Sequence, residues 1–156
     1  MVQELKKYDI MTENSRRKEQ ITEISEGNKM TQSVLLINIS SEERKEKLSE
    51  IIRKEKLEVK LIRKEDYGQT IGALAGIEEF YDKKAVYKGG ELDGEMMVFA
   101  GISDDALDNI LAAMRKEGIR INCKSVMTPY NIAWKIPDLY TELAKEHEEM
   151  TKRFGK

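Results

Sequence analysis

The hydrophobic positions of this chain fall into two alternating patterns, and the whole set occurs twice. Val34-Leu35-Leu36-Ile37, with Ile39, makes an almost unbroken apolar run, and Met96-Met97-Val98-Phe99-Ala100, with Ile102, makes another. A stretch that is apolar at every position fits a strand covered on both faces. Each run is followed by a stripe at helical spacing: Leu48, Ile51 and Ile52 in the first case, Leu107, Ile110, Leu111 and Met114 in the second. Each helix leads into an alternating stretch, Leu57, Val59, Leu61 and then Ile119, Ile121, Cys123. The alternation predicts strands over 58–63 and 120–126, the first at a sheet edge.

Local signals agree with these elements. A serine closes each apolar run. Ser40 offers an N-cap with Glu43 at the capping-box position, and Ser103 offers another with Asp104 and Asp105 complementing the helix dipole. Gly118 ends the second helix. Asp66 with Gln69 suggests a cap for a short helix to residue 75, which Gly68, Gly72 and Gly76 weaken. Residues 77–81 add a turn, and 87–94 are surface-loop material. Thr128-Pro129 reads as the N-cap and first residue of a short turn. Pro137 opens a last helix with the stripe Leu139, Leu143, His147 (or Glu146), Met150 and Phe154.

Residues 1–30 lack such periodicity and read as a disordered tail. Met30 is an alternative natural start, and deletion of residues 1–29 should leave the melting temperature almost unchanged. Residues 31–156 then form a single α/β domain of two βαβα pseudo-repeats, 33–82 and 96–154. Right-handed crossovers favour a four-stranded, mainly parallel sheet in the order 2-1-3-4 with helices on both faces. A ferredoxin-like α+β sheet is the alternative. It also centres the first and third strands, but has no use for the helical material at 66–81.

Composition narrows the function classes. A net charge of -2 argues against a nucleic-acid binder. The single cysteine, Cys123, excludes an internal disulfide and a cysteine-based zinc site. The single histidine, His147, argues against a histidine-rich metal centre, so no metal is expected and no cofactor is implied. No apolar run approaches the roughly 20 residues that span a bilayer. The amino-terminal stretch is not signal-like. The expectation is a cytoplasmic protein without membrane contact.

One distinctive motif lies in the last third: Lys124, Thr128, Asn131, Trp134, Leu139, Glu142-Leu143 and Glu146-His147. Its spacing, K-x3-T-x2-N-x2-W-x4-L-x2-E-L-x2-E-H, resembles a bacterial family known as a domain of unknown function (family 3783). The segment Asp66-Tyr67-Gly68-Gln69-Thr70-Ile71-Gly72-Ala73-Leu74-Ala75-Gly76 is similar, more weakly, to the first-half signature of longer relatives. Together these cover residues 33–150. The resemblance implies no reaction, substrate or cofactor.

A doubly wound sheet binds ligands beyond the carboxyl ends of its strands, where the strand order reverses. That point lies between strands one and three. The candidate ligand residues are Ser40, Asp66, Ser103, Asp104, Lys124, Thr128, Asn131 and Trp134. Each also has a structural role on offer: Ser40 and Ser103 as caps, Thr128 and Asn131 as loop-bonding groups, Trp134 as an anchor for the last helix. No nucleophile–base pair and no metal constellation is present, which favours a non-enzymatic module binding a small ligand or a protein. An enzyme using polar residues at the same groove is the alternative. A third expectation is homo-oligomerisation through an edge strand or the last helix.

Overall fold

The computed structural model describes residues 32–153. Residues 1–31 and 154–156, with the tail and Phe154, lie outside it. The two apolar runs become β1 (Ser33–Ile37) and β3 (Met96–Ala100), buried at every position. They occupy the middle of one sheet of order β2-β1-β3-β4, flanked by β2 (Glu58–Ile62) and β4 (Cys123–Val126). β4 is shorter at its start than the alternation suggested, because Ile119 and Ile121 pack inward from a loop.

Two of the three strand pairings are parallel, β1 with β2 and β3 with β4. The central pairing is antiparallel, with Ser33 opposite Ala100 and Ile37 opposite Met96. Each βαβ unit has the parallel strand pairing expected, but the crossover rule says nothing of how two units meet. The connection between them decides it. A 3-10 turn (Lys64–Asp66), the short helix α2 (Ile71–Leu74) and a second 3-10 turn (Glu78–Phe80) run out along one face, and residues 81–95 come back. Gln69 ties the outgoing and returning chain together. Its Nε2 donates to the Asp82 carbonyl at 2.7 Å, and its Oε1 accepts from the Asp82 amide at 3.0 Å. The chain therefore re-enters the sheet at the end it left.

Helices cover both faces. α1 (Glu42–Lys54) and α3 (Asp104–Glu117) lie on one, where Leu48, Ile52, Leu107 and Ile110 pack on Val34, Leu36, Met97 and Phe99. The other face carries α2, the two 3-10 turns and α4 (Ile136–Arg153), where Tyr67, Ile71, Leu139 and Leu143 pack on Leu35, Ile37, Met96 and Val98. Burying such side chains contributes about 1.5–3 kcal/mol each. The cap of α1 is Ser41 rather than Ser40: its Oγ accepts from the Arg44 amide at 3.1 Å. Ser103 caps α3 as expected, accepting from Ala106 at 3.1 Å, and Gly118 closes that helix at φ 70°. α2 is capped by Thr70, not by Asp66, which belongs to the preceding 3-10 turn.

Candidate functional site

The antiparallel centre removes the expected groove. The carboxyl ends of β1 and β3 point to opposite ends of the sheet. At roughly 3.3 Å per residue, five-residue strands hold them on the order of 15 Å apart. Ser40 and Asp66 follow β1 and β2 at one end, whereas Ser103, Asp104, Thr128 and Asn131 follow β3 and β4 at the other. The sequence candidates are thus two groups that share no pocket.

At the first end the Ser40 amide donates to Glu95 Oε2 at 2.8 Å. Arg44 grips the same carboxylate with two nitrogens, at 3.0 and 2.7 Å, and also donates to the Arg120 carbonyl at 3.0 Å. Burial alone would raise the Glu95 pKa. The Arg44 guanidinium and the Ser40 amide outweigh it and hold the carboxyl below its ordinary value. Glu95 and Arg44 carry no sequence signal because the clamp joins residues distant in the chain.

At the second end Thr128 and Asn131 are buried and bonded mainly to backbone. Thr128 Oγ1 accepts from the Tyr130 and Asn131 amides at 3.1 and 3.3 Å. Asn131 Oδ1 accepts from the Thr128 amide at 2.8 Å, and its Nδ2 donates to the Val126 carbonyl at 3.0 Å and to Ser125 Oγ at 3.3 Å. The Lys124 ammonium donates to the Ile121 carbonyl at 2.5 Å. Thr128 and Asn131 are spent on their own turn, whereas Lys124 reaches back to the loop before β4, at the first end of the sheet. Trp134 is not fully buried: it is 38% exposed, and its carbonyl accepts from the Ile71 amide at 2.8 Å.

Among the described residues, one concavity lies elsewhere, where residues 91–93 run beside α4. Asn38, at a left-handed φ of 56°, donates through Nδ2 to the Leu92 and Gly94 carbonyls, both at 3.0 Å. Asparagine is among the residues that tolerate that conformation best. Tyr67 is buried, stacks edge-on against Tyr87 with ring centroids 5.3 Å apart, and donates its hydroxyl to Glu91 Oε1 at 2.5 Å. Burial and the neighbouring Glu91 carboxylate drive the Tyr67 pKa far upward, so it stays a donor. Against this pinned segment α4 sets Pro137, Tyr140, Thr141, Ala144, Lys145 and Glu148, one stripe at helical spacing. Leu139 and Leu143 on the same helix point into the core. The groove holds about 520 Å³. Its floor is Leu92, Pro137, Tyr140 and Ala144, and its rim carries Glu91, Asp93 and Glu148 with Lys145. Burial, with the nearby Cys123 and Asp93, raises the Tyr140 pKa. The Cys123 thiol is itself raised by burial, although Lys124 opposes this, and the residue packs as a small hydrophobe.

Of the sequence stripe of α4, Leu139 and Leu143 are buried and His147 and Met150 half-buried, and the stripe passed over Tyr140 and Ala144. The signal available was Tyr140 beside Leu139, with Gly94 facing it: a Cβ on Gly94 would stand 2.9 Å from the Tyr140 hydroxyl. Among the described residues no cluster of three or more His, Cys, Asp or Glu side chains is placed to hold a metal ion.

Residues 95–150 match the family model described as "Domain of unknown function (DUF3783)". The second half of the chain resembles that family. The match spans β3, α3, β4, the Lys124–Asn131 turn and the groove-lining part of α4. The first βαβ unit, the segment 66–76 and residues 91–93 fall outside it. No curated protein and no solved structure matches the chain significantly. The family's description assigns no activity.

Proposed function

We propose that the protein is a non-enzymatic binding module and that its binding surface is the groove along α4, which accepts a segment of a partner protein. The single observation behind this is the groove's form. It is an open trough with an apolar floor and a charged rim, along one helix face. Helical faces of this kind receive extended or helical segments, whereas small-ligand sites enclose most of their ligand. The enzyme alternative loses its support, because the polar residues it required stand at two ends of the sheet. Cytoplasmic location in a bacterium and descent of the two βαβ units from one ancestral repeat belong to the same proposal. The first is supported by there being no helix among the described residues long and apolar enough to cross a membrane.

The test is a comparison of wild type with Ala144→Arg, a substitution on the floor of the trough. Affinity capture with mass spectrometry should return a partner retained by wild type and lost by the variant, with unchanged circular dichroism. Native mass spectrometry against a metabolite panel is the counter-test. A stoichiometric small-molecule adduct that survives Ala144→Arg, with no partner lost, would overturn the proposal.

A further inference from the structure

We infer that two copies of this chain join through their β2 edges into one continuous sheet. The two edges of the sheet are not equivalent. In β4 the Met127 amide donates to the Phe99 carbonyl at 2.8 Å, so by alternation Lys124 and Val126 direct their backbone groups outward. The Val126 carbonyl is taken by Asn131 Nδ2 at 3.0 Å and Ser125 Oγ at 3.3 Å, so that edge is partly used by its own turn. In β2 the Glu58 amide donates inward to the Gln32 carbonyl at 3.1 Å, so Val59 and Leu61 direct theirs outward. Among the described residues no strand pairs with that side of β2. Leu61 is 56% exposed beside it.

Hydrogen bonding, charge and the exposed Leu61 then narrow the register: setting Val59 opposite Val59 would pair Glu58 with Lys60 but leave Leu61 facing the already buried Leu57 outside the strand. Antiparallel pairing of two β2 strands must set outward residues opposite outward residues. Setting Val59 opposite Leu61 places Lys60 against Lys60 of the second copy, and like charges directly opposite are unfavourable. Shifting by two sets Leu61 opposite Leu61, Lys60 opposite Ile62 and Val59 opposite Arg63. Glu58 of each copy then ends near the turn that follows β2 in the other, whose first residue is Lys64, both exposed. The Leu61–Leu61 register buries the exposed leucine and brings opposite charges near one another. The joined sheet ends on β4 at both sides, where Asn131 takes the Val126 carbonyl.

Sedimentation equilibrium tests this. Wild type should show a concentration-dependent dimer. Leu61→Pro removes an outward amide without touching the β1 ladder, and Leu61→Asp alters only an exposed side chain, so at least one should yield a folded monomer by circular dichroism. Lys64→Glu should weaken the dimer, and Glu58→Lys added to it should restore association. Wild type that remains monomeric at every accessible concentration overturns the inference. So does undiminished dimerisation of a folded Leu61 variant. Equal association of wild type, Lys64→Glu and the double variant overturns the register.

Discussion

Three single residues carry more of this structure than their positions in the sequence suggest. Gly72 donates its amide to the Ile132 carbonyl at 2.8 Å, and a Cβ there would stand 2.8 Å from Ile132 Cγ1 and 3.0 Å from Phe80. Gly72→Ala should cost about 1–3 kcal/mol, as overpacking of a tight contact does; urea denaturation measures it. Asn131→Ala strands the Thr128 amide and leaves the Val126 carbonyl with Ser125 Oγ as its donor, and should cost about 1–3 kcal/mol in the same assay. Glu95 gives a pH signature. Its pKa is lowered on folding, so its clamp stabilises above the ordinary carboxylate range and is lost as pH falls through the folded value. The stability difference between wild type and Glu95→Gln should be full at neutral pH and shrink toward acid. A difference independent of pH would refute the clamp. Of these roles the sequence showed only outlines. Gly72 looked like a helix breaker, and Asn131 stood out by motif. Nothing local could announce a salt bridge between Arg44 and Glu95.

At the scale of elements, strands and helices were legible and their relations less so. Apolar-on-both-faces runs identify β1 and β3 because burial there is total. The stripes of α1 and α3 follow from periodicity. Residues 81–95 contain no helix or strand, so their fixed course rests on side-chain bonds that no pattern encodes. Tyr67→Phe tests this. It removes the bond to Glu91 while leaving the ring in the core, so hydrogen exchange over 82–94 should quicken with only about 1 kcal/mol of global stability lost. Unchanged protection in that segment would show that Asn38 and Gln69 suffice to hold it.

For the whole molecule, both hydrophobic cores draw on both βαβ units: Leu48 and Leu107 share one, Leu35 and Val98 the other. Neither unit has a core of its own. Unfolding should therefore be a single transition, with Trp134 fluorescence and far-ultraviolet circular dichroism giving one midpoint; two separated midpoints would contradict a shared core. The strand order was accessible from sequence because crossover handedness and burial constrain it. The direction of one unit against the other was not, and with it went the expected groove.

The same reversal has an electrical consequence. Because β1 and β3 run in opposite directions, so do α1 and α3 packed behind them, and Asn109 in α3 donates to Glu55 at the carboxyl end of α1 at 3.0 Å. Each helix sets its positive pole beside the other's negative pole, and the two macrodipoles offset one another. A doubly wound sheet gathers its helix amino termini on one rim and so builds a field that draws anions. In this molecule that field is divided between two rims and largely cancelled, which leaves recognition to side chains rather than to the polarity of the fold.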